Sequence, residues 1–205
     1  LLLVSSPLTR AGVPQIDGVV SSEEWRDAES VSLTYETAPG VNIPAREKTE
    51  VLYKARDGYL FIAFLADDSF PQAIRARRGE RDSIFDEDSV GIVIAPAGIR
   101  GSEAYSFYVS AGGTQFDARW NELNSSEDSR WDARWSSAVS IGSQGYTVEM
   151  RIPFSSLSLP AGEEQSWGLN FVRAVPRDYR YEFATSPRDR NRSCYVCQLR
   201  PMKLM

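Results

Sequence analysis

The segment TEVLYKARDGYLFIAFLA, residues 49–66, constrains the fold of this chain more than any other stretch. Its first half alternates apolar and polar side chains, Arg-Asp-Gly supplies a tight turn, and its second half is apolar on both faces. An apolar strand of this kind belongs in the middle of a sheet that is covered on both sides. The segment therefore predicts a β-hairpin whose second arm is a central strand.

Further short β segments follow, separated by turns rich in Gly, Asp and Ser. They are residues 88–95, 104–111, 114–120, 136–142, 146–152 and 166–175. Helix is scarce: SSEEWRDA, residues 21–28, has a capping-box pattern that predicts about two helical turns, and FSSL after Pro153 predicts a single turn. The pattern predicts an all-β fold, an antiparallel two-sheet β-sandwich of the jelly-roll or immunoglobulin-like kind with one or two short helices.

Length and composition favour one ordinary globular domain over residues 1–205. The formal net charge of −5 argues against a nucleic-acid partner, because no basic face is available for phosphates. No apolar run approaches the roughly 20 residues of a membrane-spanning helix, so we expect no membrane insertion by this domain. The ends of the sequence suggest a piece of a longer or processed protein, with a downstream domain as a possible partner.

The chain has no histidine, which excludes several kinds of site within it. Serine triads, Cys-His pairs and His-ligated metal or haem all require an imidazole. The two cysteines, Cys194 and Cys197, are too few for a Cys-only zinc site. We expect a local disulfide formed in an oxidising compartment, while free thiols and a redox pair stay open as alternatives.

Five segments, in order along the chain, resemble the family 9 carbohydrate-binding modules. They are PQIDGVVSSEEWRDA, TEVLYKARDGYLFIAFLADD, DEDSVGIVIAP, GYTVEMRIPFSSL and WGLNFVRA, and the resemblance extends roughly over residues 16–173. RRGERDSIFDEDSV and YVSAGGTQFDARW are similar to the branch that precedes an outer-membrane-associated β region in bacterial surface proteins. The resemblance implies a β-sandwich that binds a glycan end without catalysis, serves polysaccharide breakdown or surface glycan capture, and lies in the periplasm or at the cell surface.

The resemblance also places the sugar site. Phe85 stands where sugar-binding relatives have a stacking Trp, Gly91 replaces an expected polar residue, and Tyr108 replaces an Arg that bonds hydroxyls. The second stacking Trp of these relatives has no clear counterpart near the C-terminus. Aromatic rings beside polar loops are the signature of sugar stacking, so we expect Phe85, Trp120 and Tyr108 to bind carbohydrate, with Arg81 from the basic cluster RARRGER.

Two alternatives to that site remain open at the level of sequence. In the first, these aromatic rings cap the sandwich core and there is no sugar site. The chain would then be a structural or interaction module that docks to the following domain. The acids near Phe85 could bind calcium, since Asp82, Asp86 and Asp88 offer oxygen ligands at alternating spacing, or they could form only a turn before the next strand. Glycoside hydrolysis needs two carboxylates on opposite sides of the bond, which neighbouring acids do not supply, so we expect no enzyme activity and no certain cofactor.

Overall fold

Two antiparallel β-sheets pack face to face in the computed structural model, which describes residues 12–96, 98–159 and 166–203. The predicted all-β sandwich is therefore confirmed. The strands are numbered here in chain order: β1 (Glu29–Ser32), β2 (Tyr35–Ala38), β3 (Ile43–Pro44), β4 (Thr49–Arg56), β5 (Tyr59–Asp67), β6 (Ser89–Ala95), β7 (Glu103–Ser110), β8 (Gln115–Asn121), β9 (Ser126–Asp128), β10 (Ser136–Gly142), β11 (Gly145–Pro153), β12 (Ser166–Pro176), β13 (Arg180–Ala184) and β14 (Arg200–Lys203).

The smaller sheet has the strand order β1-β4-β5-β11-β10, and the larger sheet has the order β3-β2-β13-β12-β6-β7-β8-β9. β14 also belongs to the larger sheet, where it pairs with the start of β12 while β13 pairs with its end. The predicted hairpin is confirmed, since β4 pairs with β5 and β5 lies between β4 and β11. β5 is thus the central strand that its apolar sequence predicts.

The core follows the alternation of the sequence. In β11 the side chains of Tyr146, Val148, Met150 and Ile152 are all buried and pack in the main cluster between the sheets. The outer face of the smaller sheet is covered as well, because Trp25 packs there on Phe61 and Ala63. Both faces of β5 are therefore out of water, which explains why neither face of its sequence is polar.

The capping box at residues 21–24 forms, but it does not start a helix. Ser21 Oγ donates to Glu24 Oε2 at 2.7 Å and accepts from the Glu24 amide at 3.3 Å, yet residues 22–27 form a turn. The prediction of two helical turns is wrong because tertiary bonds hold the segment: Lys54 Nζ donates to the Glu24 carbonyl, and the Trp25 indole donates to Glu149 Oε1 at 3.0 Å.

The helical turns in the described residues are four short 3₁₀ segments, Pro71–Ala73, Gly98–Arg100, Phe154–Ser156 and Val196–Gln198. The third of these confirms the single turn predicted after Pro153. None of the helices in this part of the chain is long and apolar enough to cross a bilayer.

Four charged side chains meet between the sheets and form what we call the inter-sheet charge cluster: Asp68, Asp88, Arg173 and Arg177. Arg173 is fully buried and donates from Nη2 to Asp68 Oδ2 at 3.0 Å. Arg177 bridges the two carboxylates, with 3.0 Å from Nη2 to Asp68 Oδ2 and 2.7 Å from Nη1 to Asp88 Oδ2. Buried charges are tolerated only when they are paired in this way, so the cluster ties the end of β5 to β6 and β12.

Candidate functional site

A cavity of about 800 Å³ lies on the face of the larger sheet that points away from the smaller sheet. Strand alternation gives it this position. In β7 and β12, Ser106, Tyr108 and Asn170 line the cavity, while the residues between them, such as Phe107 and Phe171, belong to the core. We call this space the outer-face cavity, and its floor is the middle of the larger sheet.

Tyr108 lies on the floor of the cavity, beside a position in the neighbouring strand β6 that is occupied by glycine. Its cross-strand partner is Gly91 in β6, and a Cβ atom on Gly91 would lie 2.4 Å from Tyr108 Cδ1. The tyrosine ring therefore rests on the glycine backbone, with Phe116 edge-on to it at a centroid distance of 6.0 Å. Burial raises the pKa of the Tyr108 hydroxyl well above its ordinary value, so the group stays neutral and can both donate and accept a hydrogen bond.

Phe85 stands at the rim of the cavity with 58 % of its surface exposed. Its position is fixed from two sides. Its ring packs edge-on to Phe116 with centroids 5.4 Å apart, and the guanidinium of Arg180 lies 5.8 Å from its centroid while also donating to its backbone carbonyl. A large apolar ring held in place while exposed to solvent offers a stacking surface for a ligand.

Trp120 is anchored by the carboxylate of Glu122. Its indole nitrogen donates to Glu122 Oε2 at 3.0 Å, and the same carboxylate accepts from the amides of Tyr195 at 3.1 Å and Val196 at 2.8 Å. Burial alone would raise the pKa of Glu122, but these hydrogen bonds outweigh it and lower the pKa. The ionised carboxylate thereby joins the end of β8 to the segment opposite.

That opposite segment, residues 188–198, is called here the C-terminal wall. It is internally bonded: Gln198 Oε1 accepts from the Asp189 amide at 2.8 Å and Gln198 Nε2 donates to the Cys194 carbonyl at 2.7 Å. A disulfide joins Cys194 and Cys197 within it. Tyr195 packs edge-on to Trp120 with centroids 5.6 Å apart, so one side of the cavity is a short, closed loop.

Polar groups complete the lining. Asn170 Oδ1 accepts from Thr185 Oγ1 at 3.0 Å and from the Ser186 amide at 3.1 Å, which leaves its Nδ2 donors for the cavity. Glu182 pairs with Arg180 at 3.3 Å. Burial raises the pKa of Glu127, which also lines the cavity. Aromatic surfaces surrounded by amide, hydroxyl and carboxylate groups suit a ligand with an apolar face and many hydroxyls.

Of the four residues expected to bind carbohydrate, the structure brings three into one cavity. Phe85, Tyr108 and Trp120 all line it. Arg81 lies outside this lining, and its guanidinium bonds to the buried Asp117, to Asp132 at 2.7 Å and to Gln115 at 2.9 Å. Its contacts in the structure are thus those of a structural ion pair.

The three aspartates considered for calcium are not gathered around one point. Asp82 and Asp86 are exposed, whereas Asp88 is fully buried and bonded to Arg177. Glu87 bonds to Arg77 at 2.9 Å. Within the described ranges, no group of three or more His, Cys, Asp or Glu side chains is arranged to hold a metal ion.

Sequence reasoning missed Glu122, Asn170, Arg188 and Tyr195, which also shape the cavity. A signal existed for Asn170, because it occupies the outward-facing position of a clearly alternating strand. The segment containing Arg188 and Tyr195 has no periodicity, so its place beside β8 follows from tertiary contacts such as the hydrogen bonds of Glu122.

Comparison with known proteins bears on the family and the fold of the chain. The family model described as "Carbohydrate family 9 binding domain-like" matches residues 16–175. No curated protein is significantly similar to the chain in sequence.

Two solved structures share the fold. A putative carbohydrate-binding protein from Bacteroides uniformis is similar with a TM-score of 0.64 and 12 % identity, over 84 % of this chain and 84 % of that one. A family 9 carbohydrate-binding module from Caldicellulosiruptor kristjanssonii, solved in complex with glucose, is similar with a TM-score of 0.62 and 18 % identity, over 95 % of this chain and 92 % of the other.

Proposed function

Because the chain belongs to the carbohydrate family 9 binding domain-like family, we propose that it binds the end of a glycan in the outer-face cavity, without catalysis. The observation that carries this proposal is the meeting of Phe85, Tyr108 and Trp120 around one cavity. These rings offer the C–H face of a sugar the apolar contact it needs. Asn170 and the acids of the lining offer partners for the hydroxyl groups.

Each ring has a distinct part in this proposal. Phe85 stacks on the sugar at the rim, because more than half of its surface is exposed. Tyr108 forms the floor and hydrogen-bonds a hydroxyl through its neutral phenol. Trp120, fixed by Glu122, limits the cavity on the side of the C-terminal wall.

The wider role proposed is service to a parent protein in polysaccharide breakdown or surface glycan capture. An extracytoplasmic location, in the periplasm or at the cell surface, is supported by the disulfide between Cys194 and Cys197, since disulfides persist in oxidising compartments. A downstream domain of the same chain is the proposed second partner.

The alternative is an interaction module that has lost the sugar site and docks to the following domain. Phe85 in place of a Trp, and Tyr108 in place of an Arg, favour this alternative, because both contacts of the sugar-binding relatives are altered. In that case the exposed ring of Phe85 would pack on protein rather than on sugar.

The test is a glycan array followed by titration calorimetry on the best ligand. Phe85→Ala and Trp120→Ala are each expected to weaken binding about tenfold, through loss of stacking and apolar burial. Tyr179→Ala is the matched control, because Tyr179 is an aromatic residue with 63 % of its surface exposed that lies outside the cavity lining. Absence of binding to any glycan would favour the docking alternative.

The same titration, repeated with a chelator, tests calcium. Binding is expected to be unchanged, since the Asp88 carboxylate is already bonded to Arg177. Loss of binding in chelator that calcium restores would show instead that Asp82, Asp86 or Asp88 holds an ion.

A further inference from the structure

The C-terminal wall concentrates positive charge in an acidic protein. The whole chain has 23 Lys and Arg against 28 Asp and Glu, a net charge of −5. Within the wall, Arg188, Arg190 and Arg192 face only one acid of the same segment, Asp189. All four of these residues line the outer-face cavity, so the charge lies where a ligand would bind.

None of these three arginines forms a salt bridge with an acid among the described residues, and for two of them the structure gives the guanidinium group no other hydrogen-bond partner. Arg190 is used structurally, since its Nη2 donates to the carbonyls of Thr37 at 2.7 Å and Gly40 at 2.9 Å. Arg188 and Arg192 are exposed, and neither forms a salt bridge with any acid in the described part of the chain. Their guanidinium groups are therefore available to a ligand.

Arg188 lines the same cavity as the tyrosine that packs on Trp120. Both Arg188 and Tyr195 belong to the lining, and the Tyr195 ring is edge-on to that of Trp120. Burial raises the pKa of the Tyr195 hydroxyl to about 12, and the positive charge of Arg188 opposes that rise.

The acids of the lining offset only part of this charge. Glu182 is paired with Arg180 at 3.3 Å. The remaining carboxylates of the lining are Glu127 and Asp189, whose Oδ1 accepts the amide of Asn191 at 2.9 Å. These two negative charges stand against the three positive charges of the wall, those of Arg188, Arg190 and Arg192, so the balance beside the wall is positive.

Building on the proposed function, we infer that the glycan taken by the outer-face cavity is acidic, with its anionic group held by Arg188 and Arg192. The planar guanidinium group matches the paired oxygens of a carboxylate or sulfate and can bond them in bidentate fashion. The sugar ring stacks on Phe85, and its anionic substituent points to the C-terminal wall. The substrate class is a glycan that carries uronic acid carboxylates or sulfate esters.

The test compares charged and neutral glycans with the same backbone. The carboxylate arm uses oligogalacturonate against its methyl ester, and glucuronic acid-terminated against glucose-terminated oligosaccharides. The sulfate arm uses sulfated galactan oligosaccharides against their desulfated forms. At low salt, the charged member of at least one pair is expected to bind about tenfold tighter, because hydrogen bonds to charged groups are the stronger ones. Rising salt should reduce this advantage.

Arg188→Gln and Arg192→Gln identify the residues responsible. Each is expected to remove most of the preference for the charged glycan and to leave binding of the neutral one within about twofold, since stacking is retained. The matched control is Arg26→Gln, the same loss of charge at an exposed arginine next to Trp25, which covers the outer face of the smaller sheet. It should leave the preference intact.

The outcomes separate this inference from the function on which it rests. Equal or tighter binding of the neutral member in every pair, or a preference that survives both glutamine variants, would overturn the inference and leave sugar binding in place. Failure of every glycan to bind would overturn the proposed function itself.

Discussion

In the inter-sheet charge cluster every guanidinium meets a carboxylate, whereas in the C-terminal wall two guanidiniums face an open cavity. Arg173 and Arg177 have Asp68 and Asp88 as partners. Arg188 and Arg192 have no acid among the described residues and are exposed. Arginine therefore has two roles in this molecule. Between the sheets it neutralises buried carboxylates, and in the wall its guanidinium group is open to a ligand.

The largest effect is expected from breaking the inner cluster. Arg177→Met leaves the fully buried Asp88 without its cation and should lower the free energy of unfolding by about 3–5 kcal/mol. At this chain length that corresponds to a fall in Tm of roughly 10 °C. Urea denaturation measures it.

A second variant shows whether the loss comes from the unpaired charge. Asp88→Asn added to Arg177→Met should restore part of the stability, because it removes the orphaned carboxylate. Arg192→Met is the control from the wall and should change the free energy of unfolding by less than about 0.5 kcal/mol. If Arg177→Met and Arg192→Met lowered the free energy of unfolding equally, the inter-sheet charge cluster and the C-terminal wall would not differ in their contribution to stability.

The floor of the cavity is expected to be the next most sensitive place. In Gly91→Ala the new methyl group meets the Tyr108 ring and the Phe107 carbonyl, so the ring must shift, at a cost of about 1–3 kcal/mol in stability. Glycan affinity should fall about tenfold, as measured by calorimetry.

Gly142→Ala is the matched substitution in the smaller sheet, because a Cβ there meets nothing closer than 3.9 Å. It should alter neither stability nor affinity. Unchanged affinity in Gly91→Ala would show that Tyr108 is not the floor of the binding site.

The smallest effect on glycan affinity is expected at Glu122. Its carboxylate joins Trp120 to the C-terminal wall through the hydrogen bonds described above, which we call the Glu122 clamp. Glu122→Gln replaces an acceptor of three N–H groups by an amide and should weaken glycan binding about fivefold, or roughly 1 kcal/mol. Because the hydrogen bonds lower the folded pKa of Glu122 below its ordinary 4.5, the clamp is at full strength above about pH 4.5 and is lost as the pH falls through the folded pKa.

The affinity ratio between wild type and Glu122→Gln, measured from about pH 7 to about pH 3.5, should therefore shrink at acid pH. A ratio that is constant across this range would show that the charge of Glu122 does not hold the wall.

The sequence predicts the long strands well because their side chains alternate or are uniformly apolar. The strands β4, β5 and β11 appear where expected. A strand buried on one face alternates apolar and polar residues, and a strand buried on both faces is apolar throughout, so both kinds can be recognised in the sequence. β1, β2 and β13 were missed. They are four or five residues long and contain Glu, Ser and Arg, so their patterns are too short and too polar to be recognised.

The site was predictable only in part, for a related reason. Phe85, Tyr108 and Trp120 could be placed near one cavity because aromatic residues beside polar loops are chemically informative and because the family resemblance marks the positions of Phe85 and Tyr108. The choice between Arg81 and Arg188 could not be made, because it depends on partners distant in sequence: Arg81 bonds to Asp117, while Arg188 meets no acid in the described part of the chain. Ion pairing is a tertiary property that local sequence does not encode.

The C-terminal wall lies in the sequence between two strands of the larger sheet, β13 and β14. The family model ends at residue 175, whereas the wall begins at residue 188 and is attached chiefly through Val196 and the neighbouring Leu199, buried in a small cluster with Val93 and Ala104. On the inference drawn above, the preference for an anionic glycan resides in this stretch, whereas the proposed stacking residues Phe85, Tyr108 and Trp120 lie within the matched residues. A module divided in this way can be given a new specificity by replacing one segment of about a dozen residues, provided that the two apolar anchors and the contacts of Glu122 are kept.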